Sequence, residues 1–121
     1  MDKLGSFRFQ ELLIWQRAAD IGVGLDDMSV ILDEKKKYRF AEQLRAAGLS
    51  ISNNIAEGSG SNSNADFRKF LYIARKSLFE CASMLLVFER RNYFTAEQIA
   101  PVIDELDTLS RMIVSFASKL K

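Results

Sequence analysis

One pair of residues that could do chemistry is Asn54 and Glu57, three positions apart in the sequence N-I-A-E. Glu57 can serve as an acid, a metal ligand or a ligand contact. The chain contains no His, however, so the commonest general base is absent and the Glu-x-x-His sites of di-metal bundles cannot form. We therefore favour a structural role, in which both side chains hydrogen-bond a neighbouring helix or loop.

Cations and aromatics between residues 68 and 90 form a second candidate group. At about 100° per residue, they share the helix face opposite the apolar stripe. The cations are Arg68, Lys69, Arg75, Lys76 and Arg90, and the aromatics are Tyr72 and Phe79. Such a face can bind nucleic acid by stacking on bases beside phosphate contacts. It can equally form a subunit interface, where aromatics and Arg are enriched.

A short basic run consists of residues 35–37, all lysines, and Arg39. These cations could contact phosphate. Asp33 and Glu34 precede them directly and offset their charge. We favour a solvated helix start for this run.

Two residues of unusual type have structural interpretations. Trp15 shares a helical row with Leu12 and Ala19, which predicts core or interface packing rather than a stacking platform. Cys81 occupies an apolar stripe position and is predicted to be a small buried hydrophobe, not a nucleophile. A single Cys cannot form an internal disulfide or a Cys-rich zinc site, which suits a reducing cytosol.

Composition narrows the function classes further. The chain has 121 residues, with 17 Lys+Arg against 16 Asp+Glu and a net charge of +1. This length suits one domain with a real core, and the charge balance argues against a strongly basic nucleic-acid binder. No apolar run approaches the ~20 residues of a membrane span, and the N-terminus lacks a signal-peptide core. We expect a cytoplasmic protein without cofactor, metal or catalytic residues.

Four amphipathic segments must position these residues, at about 10–32, 34–57, 65–91 and 95–119. Gly22 and Gly24 favour a bend or an early end in the first segment. The third segment has the strictest apolar repeat. Its members are Phe67, Leu71, Ala74, Leu78, Cys81, Leu85 and Phe88. Four such helices with short connections predict one all-α domain over residues 1–121, an antiparallel up-down-up-down four-helix bundle.

Local signals predict where these helices begin and end. Asp33 is the expected N-cap of the second helix, and Gly58 the left-handed residue just past its end. Ser63 or Asn64 can cap the third helix. Thr95 and Gln98 form a capping box for the fourth.

Several motifs resemble the four helix bundle protein family, also called the ribosomal S23 or 23S rRNA intervening-sequence protein family. The most specific is residues 50–58, S-I-S-N-N-I-A-E-G, preceded by Gln43, Leu44 and Arg45. Residues 9–18 are similar to the family's opening F-x-x-L-x-x-W-Q-x-A. The third-helix motif is matched by Phe67, Phe70, Leu71, Ile73, Ala74, Ser77, Leu78 and Glu80. The resemblance covers nearly the whole chain.

The resemblance implies a small four-helix bundle that forms homo-oligomers, with pentamers the expected form. Some members are encoded inside intervening sequences of bacterial 23S rRNA genes. A related branch partners a reverse transcriptase and nucleic acid in diversity-generating retroelements. The family has no assigned catalytic residues. Six residues of these motifs are expected to have structural roles in the fold. They are Trp15, Asn54, Glu57, Gly58, Ser77 and Glu80.

Three departures from the family pattern affect the expected partners. Ala46 and Ser61 stand where members often have Arg, and Lys76 replaces the usual Gly. Two basic positions are lost and one is gained. These changes weaken the prediction of nucleic-acid binding more than the predictions of the fold and of the oligomer.

We therefore predict a non-enzymatic, homo-oligomeric scaffold that binds RNA, DNA or a nucleic-acid-handling protein such as a reverse transcriptase. The alternative is a protein adaptor or structural ring without nucleic-acid binding. Arg45 joins the third-helix cations and aromatics as a candidate for nucleic-acid or interface contact. With a ring-forming family in view, we favour an interface for the third-helix face.

Overall fold

The computed structural model describes residues 3–121, and its regular elements are all helical. A short 3-10 helix at Arg8–Glu11 precedes four α-helices. These are α1 at Leu13–Glu34, α2 at Tyr38–Ser59, α3 at Asn64–Arg90 and α4 at Ala96–Ser118. No strand occurs in the described part of the chain, and the predicted all-α fold is confirmed.

Consecutive helices run antiparallel, as aromatic contacts between their opposite ends show. Phe67 in the first turn of α3 packs edge-on against Phe116 near the end of α4, with ring centroids 5.5 Å apart. Phe40 at the start of α2 packs on Phe88 near the end of α3, with centroids 5.4 Å apart. Each helix contacts its two neighbours, and α1 lies beside α4. The predicted up-down-up-down bundle is thereby confirmed.

The first helix begins later than expected, at Leu13, and continues unbroken through Gly22 and Gly24. The early end that these glycines allowed does not occur. A Cβ on Gly22 would lie 3.3 Å from the Gly48 carbonyl oxygen, and one on Gly48 would lie 3.0 Å from Leu25. Gly22 and Gly48 therefore permit a close approach of α1 and α2 that a larger side chain would obstruct.

The predicted N-cap at Asp33 was wrong, because Asp33 and Glu34 belong to the last turn of α1. The turn is a Schellman-type cap, in which Lys37 N–H donates to the Leu32 carbonyl at 2.8 Å. Lys36 occupies its left-handed position with φ 62°. α2 then starts at Tyr38 without a side-chain cap. The acidic residues that resembled the start of a helix therefore end the preceding one.

Gly58 was also misplaced, since it lies inside α2 and not beyond its end. A Cβ there would lie 2.8 Å from both Phe67 Cδ1 and Phe70 Cβ. Gly58 is thus required by the packing of α2 on α3, and not by backbone conformation.

The caps of the last two helices agree with prediction. The Ser63 side chain accepts from Asp66 N–H at 3.1 Å at the start of α3. Thr95 and Gln98 form the reciprocal capping box of α4. Every member of the α3 apolar stripe is buried in the core. The apolar side chains of α4 are less completely buried, since Ile103 and Phe116 are only half-buried.

Candidate interaction surfaces

The structure brings together only four of the seven cations and aromatics predicted on the face of α3. Tyr72, Arg75, Lys76 and Phe79 line one shallow groove of about 430 Å³. Arg68 instead donates to the Leu120 carbonyl at 2.7 Å, beside the end of α4. Lys69 is exposed, and Arg90 lies at the far end of α3, about 33 Å along the helix from Arg68.

Arg75 is held by contacts within its own chain. Its Nε donates to Ser110 Oγ of α4 at 3.1 Å. Its guanidinium carbon lies 4.7 Å above the centre of the Phe79 ring. The Phe79 ring remains 54% exposed, so Arg75 orients a largely uncovered aromatic.

The groove continues towards α4 on the other side of Phe79. This second part has a volume of about 280 Å³. Its lining is Leu78, Phe79, Ala82, Ile103, Asp104, Leu106, Asp107 and Ser110. Both parts together are called the α3/α4 groove below, and Phe79 forms the ridge at its centre.

A larger apolar groove of about 570 Å³ lies between α1 and α2. Its lining is Phe9, Trp15, Ala19, Gly22, Val23, Asp26, Arg45, Leu49, Ser52, Asn53 and Ala56. Phe9 contacts Trp15 with ring centroids 4.8 Å apart, while Val23 and Leu49 are more than half exposed. Sequence reasoning missed this α1/α2 groove. Its only signal was that Val23 and Leu49 fall outside the core stripes of their helices.

Arg45 closes one edge of the α1/α2 groove through two ion pairs. Its Nε bonds Asp26 at 2.7 Å, and its Nη2 bonds Asp33 at 3.0 Å. These hydrogen bonds, the one to Asp33 first, raise the pKa of Arg45 above its ordinary value. With two carboxylates on one guanidinium, the cluster keeps one negative charge.

Asn54 lies in a polar chain that connects α2 to α3. Its Nδ2 donates to the Ser50 carbonyl and to Ser50 Oγ, each at 2.9 Å. Ser50 Oγ shares a further 2.9 Å hydrogen bond with Ser77 Oγ of α3. Glu57 is exposed near the end of α2, and Glu80 is exposed on α3. The geometry of Asn54 and Ser77 is that of a structural contact.

The chemistry of Cys81 is suppressed by its surroundings. It is buried in the core, and burial raises the pKa of its thiol to about 12. A thiol held in its neutral form is a poor nucleophile. Within residues 3–121, no group of three or more His, Cys, Asp or Glu side chains is arranged to hold a metal ion. No helix in the same range is long and apolar enough to cross a membrane.

One end of the bundle gathers cations from two distant parts of the sequence. This basic end comprises Lys35, Lys36, Lys37, Arg39, Arg90 and Arg91. Lys37 Nζ lies 5.2 Å from the centre of the Tyr93 ring, and the Arg91 guanidinium carbon lies 5.9 Å from it. Arg91 first, and then Lys37, lower the pKa of Tyr93 below its ordinary value. The expected solvated helix start at residues 35–37 is in fact a turn beside α3.

Comparison with known proteins identifies the family. A model described as 23S rRNA-intervening sequence protein matches residues 10–115. The chain belongs to this family. The predicted resemblance is thereby confirmed.

A solved member of the S23 ribosomal protein family, from Bacteroides thetaiotaomicron VPI-5482, has the same bundle with a TM-score of 0.83. It is 25% identical, and the alignment covers 87% of this chain and 98% of the other. That relative is described as a protein of unknown function. No curated protein matches the chain. Family membership therefore gives the fold without assigning an activity.

Proposed function

We propose that this chain is a non-enzymatic subunit of a homo-oligomeric helical scaffold. Two chemical features support the absence of catalysis. The sequence contains no His, and its sole thiol is buried with a raised pKa. The grooves offer apolar area for association, and the Asp26–Arg45 ion pair of the α1/α2 groove cannot serve as an acid–base pair, because an Arg guanidinium stays protonated.

The observation that carries the proposal is a pair of apolar grooves on opposite sides of the bundle. The α1/α2 groove and the α3/α4 groove each leave large hydrophobic side chains exposed, including Leu49 and Phe79. Contiguous exposed apolar surface on a small domain marks an interaction site. Self-association would cover both grooves at once if each subunit placed its Phe79 ridge in the next subunit's α1/α2 groove.

Charge supports this head-to-tail arrangement. α1 carries one cation against five carboxylates, and α3 carries five cations against three carboxylates. α4, on the other side of the α3/α4 groove, carries one cation against four carboxylates. Attraction therefore favours the orientation in which the α3 side of this groove, and not the α4 side, faces α1 of the next subunit. Head-to-tail contacts close into rings when the rotation permits. The five subunits implied by the family resemblance stay a prediction.

The experiment is a substitution at the ridge. Phe79→Glu places a charge at the centre of the α3/α4 groove and should reduce the mass in light scattering to the 13.8 kDa monomer. Val87→Glu is the matched control, because Val87 is 51% exposed on another face of α3. It should leave the assembly intact. An unchanged mass for Phe79→Glu, or a monomeric wild type at micromolar concentration, would overturn the proposal.

Nucleic acid or a nucleic-acid-handling protein is the second candidate partner of the scaffold. At the α3 face the geometry favours the interface, because Arg68 and Arg75 already bond α4. RNA, DNA and a reverse transcriptase remain predictions from the family resemblance. The alternative of an adaptor or ring without nucleic-acid binding differs in one measurement, the binding of oligonucleotides at low salt.

A further inference from the structure

The excess positive charge of the chain lies outside the four helices. α1 to α4 together carry nine cations and fourteen carboxylates. The overall charge is nevertheless +1, so the turns and termini must be strongly basic. Half of their eight cations are Lys35, Lys36, Lys37 and Arg91, which share the basic end.

The positive charge of the basic end is concentrated on its two turns. Residues 35–37 and 91–95 contain four cations and no carboxylate. The helix ends beside them add Arg39 and Arg90 against Glu34, Glu42, Glu89 and Glu97, and the cluster of Asp26, Asp33 and Arg45 keeps one negative charge farther along α1 and α2. The end therefore keeps a small positive excess that lies on its turns, and cations concentrated in this way attract polyanions.

Exposed aromatic rings lie among these cations. Tyr38 is 60% exposed in the first turn of α2, and Phe40 is 40% exposed one position after Arg39. The Phe40 ring is fixed by Phe88 and by Tyr93, whose centroid lies 6.2 Å away. A fixed, partly uncovered ring next to cations is the arrangement on which unpaired bases stack.

We propose that the basic end binds single-stranded nucleic acid, with phosphates on the lysine turn and Arg91 and a base stacked on Tyr38 or Phe40. This site lies apart from both grooves, and it rests on the second candidate of the proposed function, to which it assigns a place on the chain and a class of ligand. A duplex fits less well because its bases already stack on each other. An acidic peptide would satisfy the cations and leave the aromatic faces without a partner.

The first test is fluorescence anisotropy with a labelled oligouridine of about 12 nucleotides, at about 50 mM salt. The triple variant that replaces the three lysines of the turn, Lys35→Gln, Lys36→Gln and Lys37→Gln, should bind at least about tenfold more weakly. The slope of its log binding constant against log salt concentration should be smaller in magnitude by about 2. The control Lys69→Gln, Lys119→Gln, Lys121→Gln has the same net charge and should bind nearly as the wild type. Equal losses in the two variants, or no binding by the wild type, would overturn the site.

The second test addresses stacking and strandedness. Tyr38→Ala together with Phe40→Leu should weaken oligouridine binding about fivefold or more and leave weak duplex binding unchanged. Equal affinity for a matching duplex, or for polyglutamate, would refute a single-strand site in favour of a general polyanion or acidic-protein surface. Circular dichroism checks folding, and Arg39→Gln with Arg91→Gln provides a second loss variant if the lysine variant unfolds.

The proposed binding site and the proposed scaffold can be refuted independently of each other. Light scattering on the same samples reports assembly independently of binding. A monomeric chain that binds oligouridine would overturn the scaffold and support the site, whereas an assembled chain that does not bind would overturn the site alone.

Discussion

At the scale of single residues, both turns at the basic end place a side chain in the left-handed region. Lys36 and Asn92 each have φ 62°, and both occupy the position of a Schellman cap that glycine usually fills. Asn tolerates this conformation better than Lys, because its short polar side chain bonds locally. The strain of the two turns is therefore concentrated at Lys36.

Replacing Lys36 with glycine should accordingly stabilise the protein. We expect Lys36→Gly to raise the free energy of unfolding by about 0.5–1 kcal/mol in urea, at fixed protein concentration. Asn92→Gly should give a smaller gain. Lys35, at φ −84°, supplies the control, because glycine there relieves no strain. A gain from Lys35→Gly as large as that from Lys36→Gly would contradict this explanation.

Residue-level signals predicted structure only where the partner was local in sequence. The Thr95 and Gln98 cap closes within four residues, so its pattern was sufficient. Asp33 has the right type for a cap, but it is bonded to Arg45, twelve positions away on another helix. Its role depends on how α1 and α2 pack, which no local pattern contains.

At the scale of elements, Gly58 of α2 packs directly against the first turns of α3. A methyl group on Gly58 would lie 2.8 Å from Phe67 and from the Cβ of Phe70, and a Cβ cannot move without its helix. Gly58→Ala should therefore lower the free energy of unfolding by about 1–3 kcal/mol, since overpacking separates the two helices.

Substitutions at two other glycines are the controls for that prediction, with the free energy of unfolding measured by heat or urea. Gly24→Ala introduces a Cβ with no atom within 4 Å in a helix interior, so it should stabilise by up to about 1 kcal/mol. Gly60→Ala meets only the Glu57 and Ala56 carbonyls at ordinary contact distance and should be nearly neutral. A neutral Gly58→Ala would show that α3 can shift without cost.

The helices were predictable because each has one dominant apolar stripe. In α3 the sequence period matched the buried set residue for residue. The two grooves were not predictable as sites, since each combines residues from two helices whose rotation and spacing depend on packing. The spacing depends on three glycines that each face a neighbouring helix, Gly22, Gly48 and Gly58. The sequence of one helix does not show which of its glycines has such a contact.

At the scale of the whole molecule, acidic helices, a basic end and two opposite grooves divide the surface into regions of different charge and polarity. Sequence segments already indicated a basic third helix, but the larger concentration at residues 35–39 and 90–91 required the antiparallel topology. Antiparallel packing brings the end of α1 and the end of α3 to the same pole. Assembly through the grooves would leave that pole open on every subunit.

Head-to-tail assembly makes a prediction that a symmetric interface does not. Phe79→Glu disables the α3/α4 groove, and Leu49→Glu disables the α1/α2 groove, where Leu49 is 57% exposed. Each variant alone should be monomeric, because every contact needs both grooves. Mixed together, they retain one intact pair of grooves and should form a dimer of about twice the 13.8 kDa subunit mass in light scattering.

That dimer cannot grow, because its two free grooves both carry the new glutamate. A same-face interface through α3/α4 would instead leave Leu49→Glu assembled on its own, and adding Phe79→Glu would form no new contact. The matched control is Val87→Glu mixed with Leu49→Glu: in that mixture the Val87→Glu subunits keep both grooves and should form assemblies larger than a dimer. Assemblies beyond the dimer in the Phe79→Glu mixture would contradict the head-to-tail arrangement, because no pair of wild-type grooves would remain to extend them.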